Sequence, residues 1–166
     1  MNVVIVGCGR VGALLAEMLD AAGNTVAIID ESTLAFDRLP STFKGNAIRG
    51  NGTDEAVLRR AGAERADLFL AMTEGDNRNV MSAQLATEIF EVGRVVAKIN
   101  DPVRAEAYAD LGIATVCRTN LMADAILGYL GLPDSGAPDV RAARGHHPGG
   151  DHPLASSGAA PAAEEA

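Results

Sequence analysis

Short apolar segments alternate along this chain with longer segments in which apolar residues recur at helical spacing. The short segments are predicted strands, and they comprise residues 3–6, 25–30, 47–50, 67–72, 94–99 and 115–118. These runs are apolar throughout rather than alternately apolar and polar, which is typical of parallel strands covered on both faces. Repeated strand–helix units imply right-handed crossovers within one sheet. The pattern therefore predicts an α/β fold of the Rossmann type, a doubly wound parallel sheet of about six strands.

Two of the longer segments carry clear helical stripes. The first stripe is formed by Val11, Leu14, Leu15, Met18 and Leu19, and the second by Val80, Met81, Leu85 and Ile89. Helix starts are also visible, because Thr53 followed by Asp54 and Glu55 resembles an N-cap with acids in the first turn. Asp101-Pro102 predicts another start, with proline at the first helical position.

The last apolar segment, residues 120–132, follows the sixth strand and predicts a terminal crossover helix. It is unusually apolar for a helix at the end of a domain, since it contains Leu121, Ile126, Leu127, Tyr129, Leu130 and Leu132. Two interpretations stay open. The helix packs back on its own sheet, or it crosses to another subunit.

The composition changes at Pro133. Residues 133–166 hold five of the seven prolines and all three histidines, and their only large aliphatic residues are Val140 and Leu154. Such a segment buries too little apolar surface to offset its ordering entropy. The sequence therefore predicts one folded domain, residues 1–132, followed by a disordered Pro/Gly/Ala-rich tail, residues 133–166. The tail histidines are interpreted as part of a flexible polar segment rather than a metal site.

The charge and the apolar runs exclude several classes of protein. The formal net charge is −8, aromatic residues are few and no basic block is present, which argues against nucleic-acid binding. No apolar run approaches the roughly 18–20 residues that a membrane span requires, and no signal-peptide pattern precedes Val3. Cys8 and Cys117 make no disulfide framework or metal-ligand set. We expect a cytosolic protein without direct membrane insertion.

The segment GCGRVG follows the first strand and opens the first helix. Gly7, Gly9 and Gly12 permit a tight turn, a close approach to a pyrophosphate and close packing of helix on strand. The unpaired N–H groups of a helix N-terminus then face the anion. The predicted phosphate-binding segment is Gly7, Cys8, Gly9, Arg10, Val11 and Gly12. Arg10 either neutralises phosphate charge or is solvated, and Cys8 is either a reactive thiol or simply a small residue.

Two acids end the second strand, 18 residues after Gly12. At that position Asp30 is expected to bond ribose hydroxyls, and Glu31 is expected to repel a 2′-phosphate, which disfavours NADP. Because a strand-end carboxylate facing a cleft carries little core packing, Asp30→Ala is expected to weaken binding of ribose-containing ligands and to leave the fold intact.

The sequence lacks the catalytic groups of a dehydrogenase. Such an enzyme needs a substrate-binding region and a proton-transfer group, but no histidine precedes His146. Neither Tyr108 nor Tyr129 is followed four residues later by the lysine of the short-chain dehydrogenase pair. We therefore predict no catalysis, and we keep two alternatives: a small NAD-dependent oxidoreductase or detached dehydrogenase domain, and a scaffold with a vestigial site.

Three longer segments carry a family resemblance. The opening to Glu31, together with IRGNGTDEAVLRRAGAERADLFLAMTEGDNRNVMSAQLA and RVVAKINDPVRAEAYADLGIATVCRTN, resembles the RCK N-terminal (TrkA-N type) domain along residues 1–132. That domain occurs in cytosolic Trk/Ktr potassium-uptake regulators and in ligand-gated potassium channels.

The resemblance implies further site residues. GNGTD places Asn51, Gly52 and Thr53 on the adenine side, with Asn51 where the family usually carries an aspartate. MTEGDNRN implies that Thr73, Asp76 and Asn79 border the cleft, and AKIND implies that Lys98 faces the phosphates. The alternatives are a helix cap made by Asp76 or Asn77, and a lysine at a sheet edge that points to water.

The resemblance also implies a function without a reaction. It predicts a regulatory subunit that binds NAD(H) or ATP/ADP and gates a membrane potassium transporter or channel subunit. Dimers of such domains build homo-oligomeric rings, often octamers, at the inner face of the cell membrane. The tail stands where many family members carry a second ligand-binding domain, so we expect regulation through that domain to be missing. Two interpretations stay open: the protein acts alone or beside a paralogous regulator, or the sequence is a truncated form of a longer chain.

Overall fold

All six predicted strands are confirmed, each within one residue at either end. The structure is a computed structural model that describes residues 1–142. The strands are β1 Asn2–Val6, β2 Thr25–Asp30, β3 Asn46–Arg49, β4 Leu68–Ala71, β5 Val95–Ile99 and β6 Ala114–Cys117.

The strands form one parallel sheet in the order β3-β2-β1-β4-β5-β6. The order reverses between β1 and β4, because the first three strands extend the sheet in one direction and the last three in the other. The predicted Rossmann-type fold is therefore confirmed. The reversal leaves a crevice at the carboxyl ends of β1 and β4, where doubly wound sheets bind ligands.

Helices connect the strands on both faces. The α-helices are α1 Arg10–Ala21, α2 Glu55–Arg60, α3 Asp76–Gln84, α4 Pro102–Asp110 and α5 Arg118–Tyr129. Short 3₁₀ segments span Thr33–Arg38 and Ala63–Arg65, and α3 continues into a π-helical turn at Leu85–Ile89. Two apolar clusters fill the space between the sheet and these helices, one on each face.

Helix α1 packs on the sheet through small residues together with Leu15 and Leu19, so the predicted stripe is confirmed only in part. Its buried residues are Gly12, Ala13 and Ala16. The larger apolar residues Val11, Leu14 and Met18 are about half exposed, at 46%, 55% and 60%. The cause is the closeness of the helix to the loop that precedes it, since a Cβ on Gly12 would lie 1.9 Å from the carbonyl oxygen of Gly7. At this point of closest approach only a glycine fits, whereas Leu15 and Leu19, further along the helix, are partly buried against the core.

The second stripe and the edge strand also differ from the prediction. Val80 is buried, but Met81 and Ile89 are more than half exposed, because α3 packs through Ser82 and Ala83 instead. Strand β3 was expected to be covered on both faces, yet it is mostly exposed because it lies at the edge of the sheet.

One predicted helix start is confirmed and one is wrong. Asp101 caps α4 by accepting a hydrogen bond from the N–H of Val103 at 3.0 Å, and Pro102 is the first helical residue. Asp54, not Thr53, caps α2, since Asp54 Oδ1 accepts bonds from the N–H groups of Ala56 and Val57.

Helix α5 buries none of its residues within the part of the chain that the structure describes. The interpretation that it packs back on its own sheet is therefore wrong. Its apolar side chains face outwards, with Met122 61%, Ile126 55% and Tyr129 91% exposed.

The chain after α5 returns to the sheet. Ser135 bonds to the carboxylate of Asp124 in α5, and Arg141 pairs antiparallel with Thr115 in β6 through two backbone hydrogen bonds of 2.9 and 3.0 Å. Arg141 also lies 3.9 Å from Glu106. Residues 143–166 of the predicted tail, with its three histidines, lie outside the described residues. No helix within residues 1–142 is long and apolar enough to cross a bilayer.

We predict that Asp54→Ala lowers the free energy of unfolding by about 1 kcal/mol, because two N–H groups of α2 lose their acceptor. Urea denaturation followed by circular dichroism measures the change. Asp54→Asn is the matched control, since asparagine caps a helix about as well as aspartate. Equal losses from both substitutions would show that the cap contributes nothing.

Candidate functional site

A cleft opens at the carboxyl ends of the central strands, at the point where the strand order reverses. Its walls are Gly7 and Gly9 after β1, Asp30 and Glu31 at the end of β2, residues 50–53 after β3, Met72, Thr73 and Glu74 after β4, and Arg78 from α3. Parallel strands bring these loops together because all their carboxyl ends meet at one edge of the sheet.

The three glycines of the loop differ in why glycine is needed: Gly7 and Gly12 are required by the fold, and Gly9 is not. Gly7 has a φ of 101°, in the left-handed region, and a Cβ on it would lie 2.8 Å from the backbone nitrogen of Thr73. Gly12 has no space for a Cβ either. Gly9 differs, because its φ of −76° suits any residue and the nearest atom to an added Cβ is Glu74 Oε1 at 4.0 Å. The backbone at Gly9 is therefore open towards the cleft.

The carboxylate of Asp30 anchors this loop. Its Oδ2 accepts a hydrogen bond from the N–H of Cys8 at 2.8 Å, and its Oδ1 accepts one from the N–H of Ser32 at 2.9 Å. Each oxygen keeps a further lone pair that a ribose hydroxyl can use. Alanine at this position would leave two backbone donors without their acceptor. The structure therefore corrects the expectation that Asp30→Ala acts on ligand binding alone.

Cys8 is fully buried beneath the loop. Its thiol donates a hydrogen bond to the carbonyl oxygen of Ala35 at 3.3 Å. Burial, together with the negative charge of Asp30, raises the pKa of the Cys8 thiol to about 11, although Arg38 opposes the shift. Almost no thiolate is present near neutral pH, so this geometry favours the small-residue interpretation over the reactive-thiol one.

Glu31 and Arg78 form an ion pair between two walls of the cleft. Arg78 Nη1 in α3 lies 3.4 Å from Glu31 Oε2, just beyond β2. Both side chains are more than half exposed, so the pair is weak and free to rearrange. That Glu31 repels a 2′-phosphate stays a prediction, since the charge of Glu31 is partly offset by Arg78 in this structure.

Asn51 and Thr53 form a closed turn after β3. Asn51 Oδ1 accepts hydrogen bonds from the N–H of Thr53 at 2.9 Å and from its hydroxyl at 2.8 Å. Gly52 between them is buried, and a Cβ there would lie 2.1 Å from Val6 Cγ1. The acceptor that this turn needs is supplied by an amide oxygen, so a carboxylate is not required for it.

The segment after β4 is braced by a buried amide. Asn79 is fully buried, and it bonds to the backbone N–H, carbonyl and hydroxyl of Thr73 and to the carbonyl of Lys98. Asp76 accepts hydrogen bonds from the N–H groups of Asn100 and Asp101. Neither residue lines the cleft, and neither Asp76 nor Asn77 caps α3, whose N-cap is Gly75. Asp76 and Asn79 therefore hold the cleft wall in place from behind.

Lys98 is buried on β5, with 6% of its side chain exposed. The interpretation of an edge lysine that points to water is therefore wrong. Its Nζ lies 3.5 Å from Glu74 Oε1, and Arg118 Nη1 lies 3.7 Å from the other oxygen of the same carboxylate.

Comparison with known proteins decides the family. The sequence profile of the TrkA-N domain matches residues 3–119. The chain belongs to the TrkA-N domain family. A curated relative, the Trk system potassium uptake protein TrkA of Streptomyces coelicolor, is 47% identical over 138 residues, which is 83% of this chain and 61% of the relative. The chain thus spans between 49% and 61% of the length of the first curated relatives that it matches.

Two solved structures resemble this TrkA-N domain and hold adenine nucleotides themselves. The Kef CTD of Shewanella denitrificans, in an AMP-bound form, superposes with a TM-score of 0.63 at 25% identity, over 79% of this chain and 82% of that one. GsuK bound to ADP superposes with a TM-score of 0.64 at 27% identity, over 78% of this chain and 33% of that one.

The structure brings part of the predicted site of this TrkA-N domain into the cleft. The predicted residues that line it are Gly7, Gly9, Asp30, Glu31, Asn51, Gly52, Thr53 and Thr73. The predicted residues that do not are Cys8, Arg10, Val11, Gly12, Asp76, Asn79 and Lys98. Arg10 and Val11 are exposed on α1, and Arg10 has no hydrogen-bond or ion-pair partner among residues 1–142.

Two charged residues of the cleft, Glu74 and Arg78, were missed by sequence reasoning. Both lie in the segment that the family resemblance singles out, four residues apart. In the sequence only their charge distinguishes these two residues. That charge indicates a role in the cleft only once the fold places them opposite the glycine loop.

We predict that Cys8 reacts very slowly with iodoacetamide in the native protein at pH 8 and rapidly after unfolding. The thiol ionises near pH 9 when unfolded and near 11 when folded, so the free energy of unfolding should fall as the pH rises from about 9 to about 11. Peptide mass spectrometry measures the labelling, and Cys8→Ala should lack this part of the pH dependence. Fast labelling of Cys8 in the folded protein would contradict the interpretation of Cys8 as a buried, unreactive thiol.

Proposed function

We propose that this TrkA-N domain is a non-catalytic regulatory subunit that binds an adenine nucleotide, NAD(H) or ATP/ADP, and thereby gates a potassium-uptake transporter or channel. One observation carries the proposal: a glycine loop and the carboxylate of Asp30 face one cleft at the reversal of the strand order. The nucleotides in two structural relatives and the potassium-uptake name of the Streptomyces relative support it.

The roles of the residues follow from their positions. The open backbone at Gly9 and the N-terminus of α1 receive the phosphates. Asp30 bonds the ribose, and Asn51 and Thr53 border the adenine side. Glu31 disfavours a 2′-phosphate, which selects against NADP.

The chemistry within the cleft supports binding rather than turnover. A hydride-transfer enzyme needs a proton donor beside the reacting carbon. The hydroxyl of Thr73 is bonded to Asn79, that of Thr53 is bonded to Asn51, and no histidine precedes His146 in the sequence. The two hydroxyl groups that line the cleft are therefore engaged in holding its walls.

The exposed apolar side chains of α5 support assembly with a second copy or a paralogous regulator. Met122, Ile126 and Tyr129 are all more than half exposed. We propose that α5 is a subunit contact in a ring built from dimers, and that the ring docks on its membrane partner from the cytoplasmic side.

A thermal-shift panel with NAD, NADH, NADP, ATP, ADP and AMP tests nucleotide binding. A ligand at ten times its dissociation constant should add about 1.4 kcal/mol of stability, which raises Tm by several degrees in a domain of this size. We expect stabilisation by at least one of NAD(H), ATP and ADP, and none by NADP. No shift with any nucleotide would contradict the proposal, and so would measurable turnover of NADH.

Two glycine substitutions make the panel specific to the loop. Gly9→Ala should keep the Tm of the free protein, because its Cβ would approach no atom of residues 1–142 closer than 4.0 Å apart from its chain neighbours. The added methyl group should abolish the nucleotide shift by occupying the phosphate approach. Gly12→Ala, the matched comparison, should lower the Tm of the free protein because its Cβ overlaps Gly7. A full nucleotide shift in Gly9→Ala would place the phosphates elsewhere.

A further inference from the structure

Glu74 holds a position next to the glycine loop that a phosphate would occupy. Apart from the chain neighbours of Gly9, its Oε1 is the only atom of residues 1–142 within 4 Å of a Cβ built on Gly9, at 4.0 Å, and the residue lines the cleft. An acid beside a phosphate-binding loop is an obstacle to an anionic ligand. The structure shows what keeps this carboxylate there.

Two cations hold the carboxylate of Glu74, one on each oxygen. Lys98 Nζ lies 3.5 Å from Oε1 and Arg118 Nη1 lies 3.7 Å from Oε2. Only 6% of the Lys98 side chain is exposed. Within residues 1–142 its ammonium group has no hydrogen-bond or ion-pair partner other than Glu74. A buried ammonium requires a counterion. Glu74 supplies that counterion in this structure.

The cation is fixed and its counterion is movable. Lys98 sits within β5, whereas the side chain of Glu74 is 74% exposed. Both ion pairs of Glu74 are long, and the pair with Arg118 joins two exposed side chains, so that pair is weak. The carboxylate can therefore swing into solvent while its backbone stays in place through the bond that its carbonyl accepts from Asn100.

We propose that Glu74 occupies an anion subsite, formed by Lys98 and Arg118, that the terminal phosphate of a nucleoside di- or triphosphate takes by displacing the Glu74 carboxylate. This inference rests on the proposed nucleotide binding and names the ligand class of the same cleft. A phosphate monoester end carries about two charges and three acceptor oxygens, so it satisfies both cations better than one carboxylate does. NAD, whose phosphates are diesters inside the molecule, offers no such terminal group.

The subsite connects the cleft to the terminal helix. Arg118 is the first residue of α5, where a positive charge is unfavourable because the helix dipole is positive at that end. Glu74 offsets that charge in the free protein, and a phosphate would offset it more strongly. Exchange of the carboxylate for a phosphate therefore changes the contact that begins the exposed helix α5.

Calorimetric titration of wild type and Glu74→Gln with adenosine, AMP, ADP and ATP tests the inference, in low-salt buffer with EDTA. Glutamine keeps the size of the side chain and removes its charge. We expect ATP and ADP to bind about tenfold more tightly to Glu74→Gln, and adenosine to bind equally to both proteins. In hydrogen-exchange measurements, ATP should protect the first turn of α5 in wild type.

A second variant identifies the cations as the target. Lys98→Met keeps an apolar stem on β5 and should weaken ATP binding while leaving adenosine binding unchanged. In the double variant, the gain from Glu74→Gln should shrink, because its competitor for the cation is gone. Arg118→Gln should remove the ATP-dependent protection of α5.

The outcomes separate this inference from the proposed function. If adenosine or ATP binds wild type but Glu74→Gln changes the affinity for all four ligands by the same factor, or for none, the subsite is overturned and nucleotide binding stands. If neither wild type nor Glu74→Gln binds any of the four ligands, the inference fails together with the assignment of an ATP/ADP site. A gain confined to ATP and ADP supports it.

Discussion

The contact between Gly12 and the carbonyl oxygen of Gly7 is the constraint on which the rest of the structure depends. A single Cβ at Gly12 would lie 1.9 Å from that oxygen, so helix α1 can approach β1 only because the position is glycine. The fully buried residues of α1 are accordingly the small ones, Gly12, Ala13 and Ala16, while Leu15 and Leu19 are only partly buried against the core.

Several polar side chains in and behind the cleft form hydrogen bonds within the protein itself. Asp30 bonds two backbone N–H groups, Asn51 bonds Thr53, and Asn79 bonds Thr73. Each bond fixes a loop whose backbone would otherwise be costly to order. The backbone of the cleft walls is therefore already ordered without a ligand. Within residues 1–142, the exposed charged side chains Glu31, Glu74 and Arg78 are held only by ion pairs.

The apolar strand pattern was enough to predict the sheet, because runs such as residues 25–30 are long, buried and followed by turns. Chemistry that depends on close contacts was harder to predict. Thr53 and Asp54 are both good N-cap residues, and only the backbone geometry shows that Asp54 is used. Asn79 is the last residue of the segment MTEGDNRN, yet its side chain faces the interior. The ion pair of Glu74 depends on Lys98, which lies 24 residues further along the chain on β5.

The return of the chain to β6 has a consequence for how copies of this domain can meet. Arg141 occupies the open hydrogen-bonding side of Thr115, which leaves less of that border free to recruit a strand from another molecule. At the opposite border, β3 is only four residues long and carries Asn46 and Arg49, a polar and short margin that also discourages strand addition. Self-association by continuation of the sheet is therefore disfavoured at both borders, and contact through the outer helical surfaces is the route that the architecture leaves open.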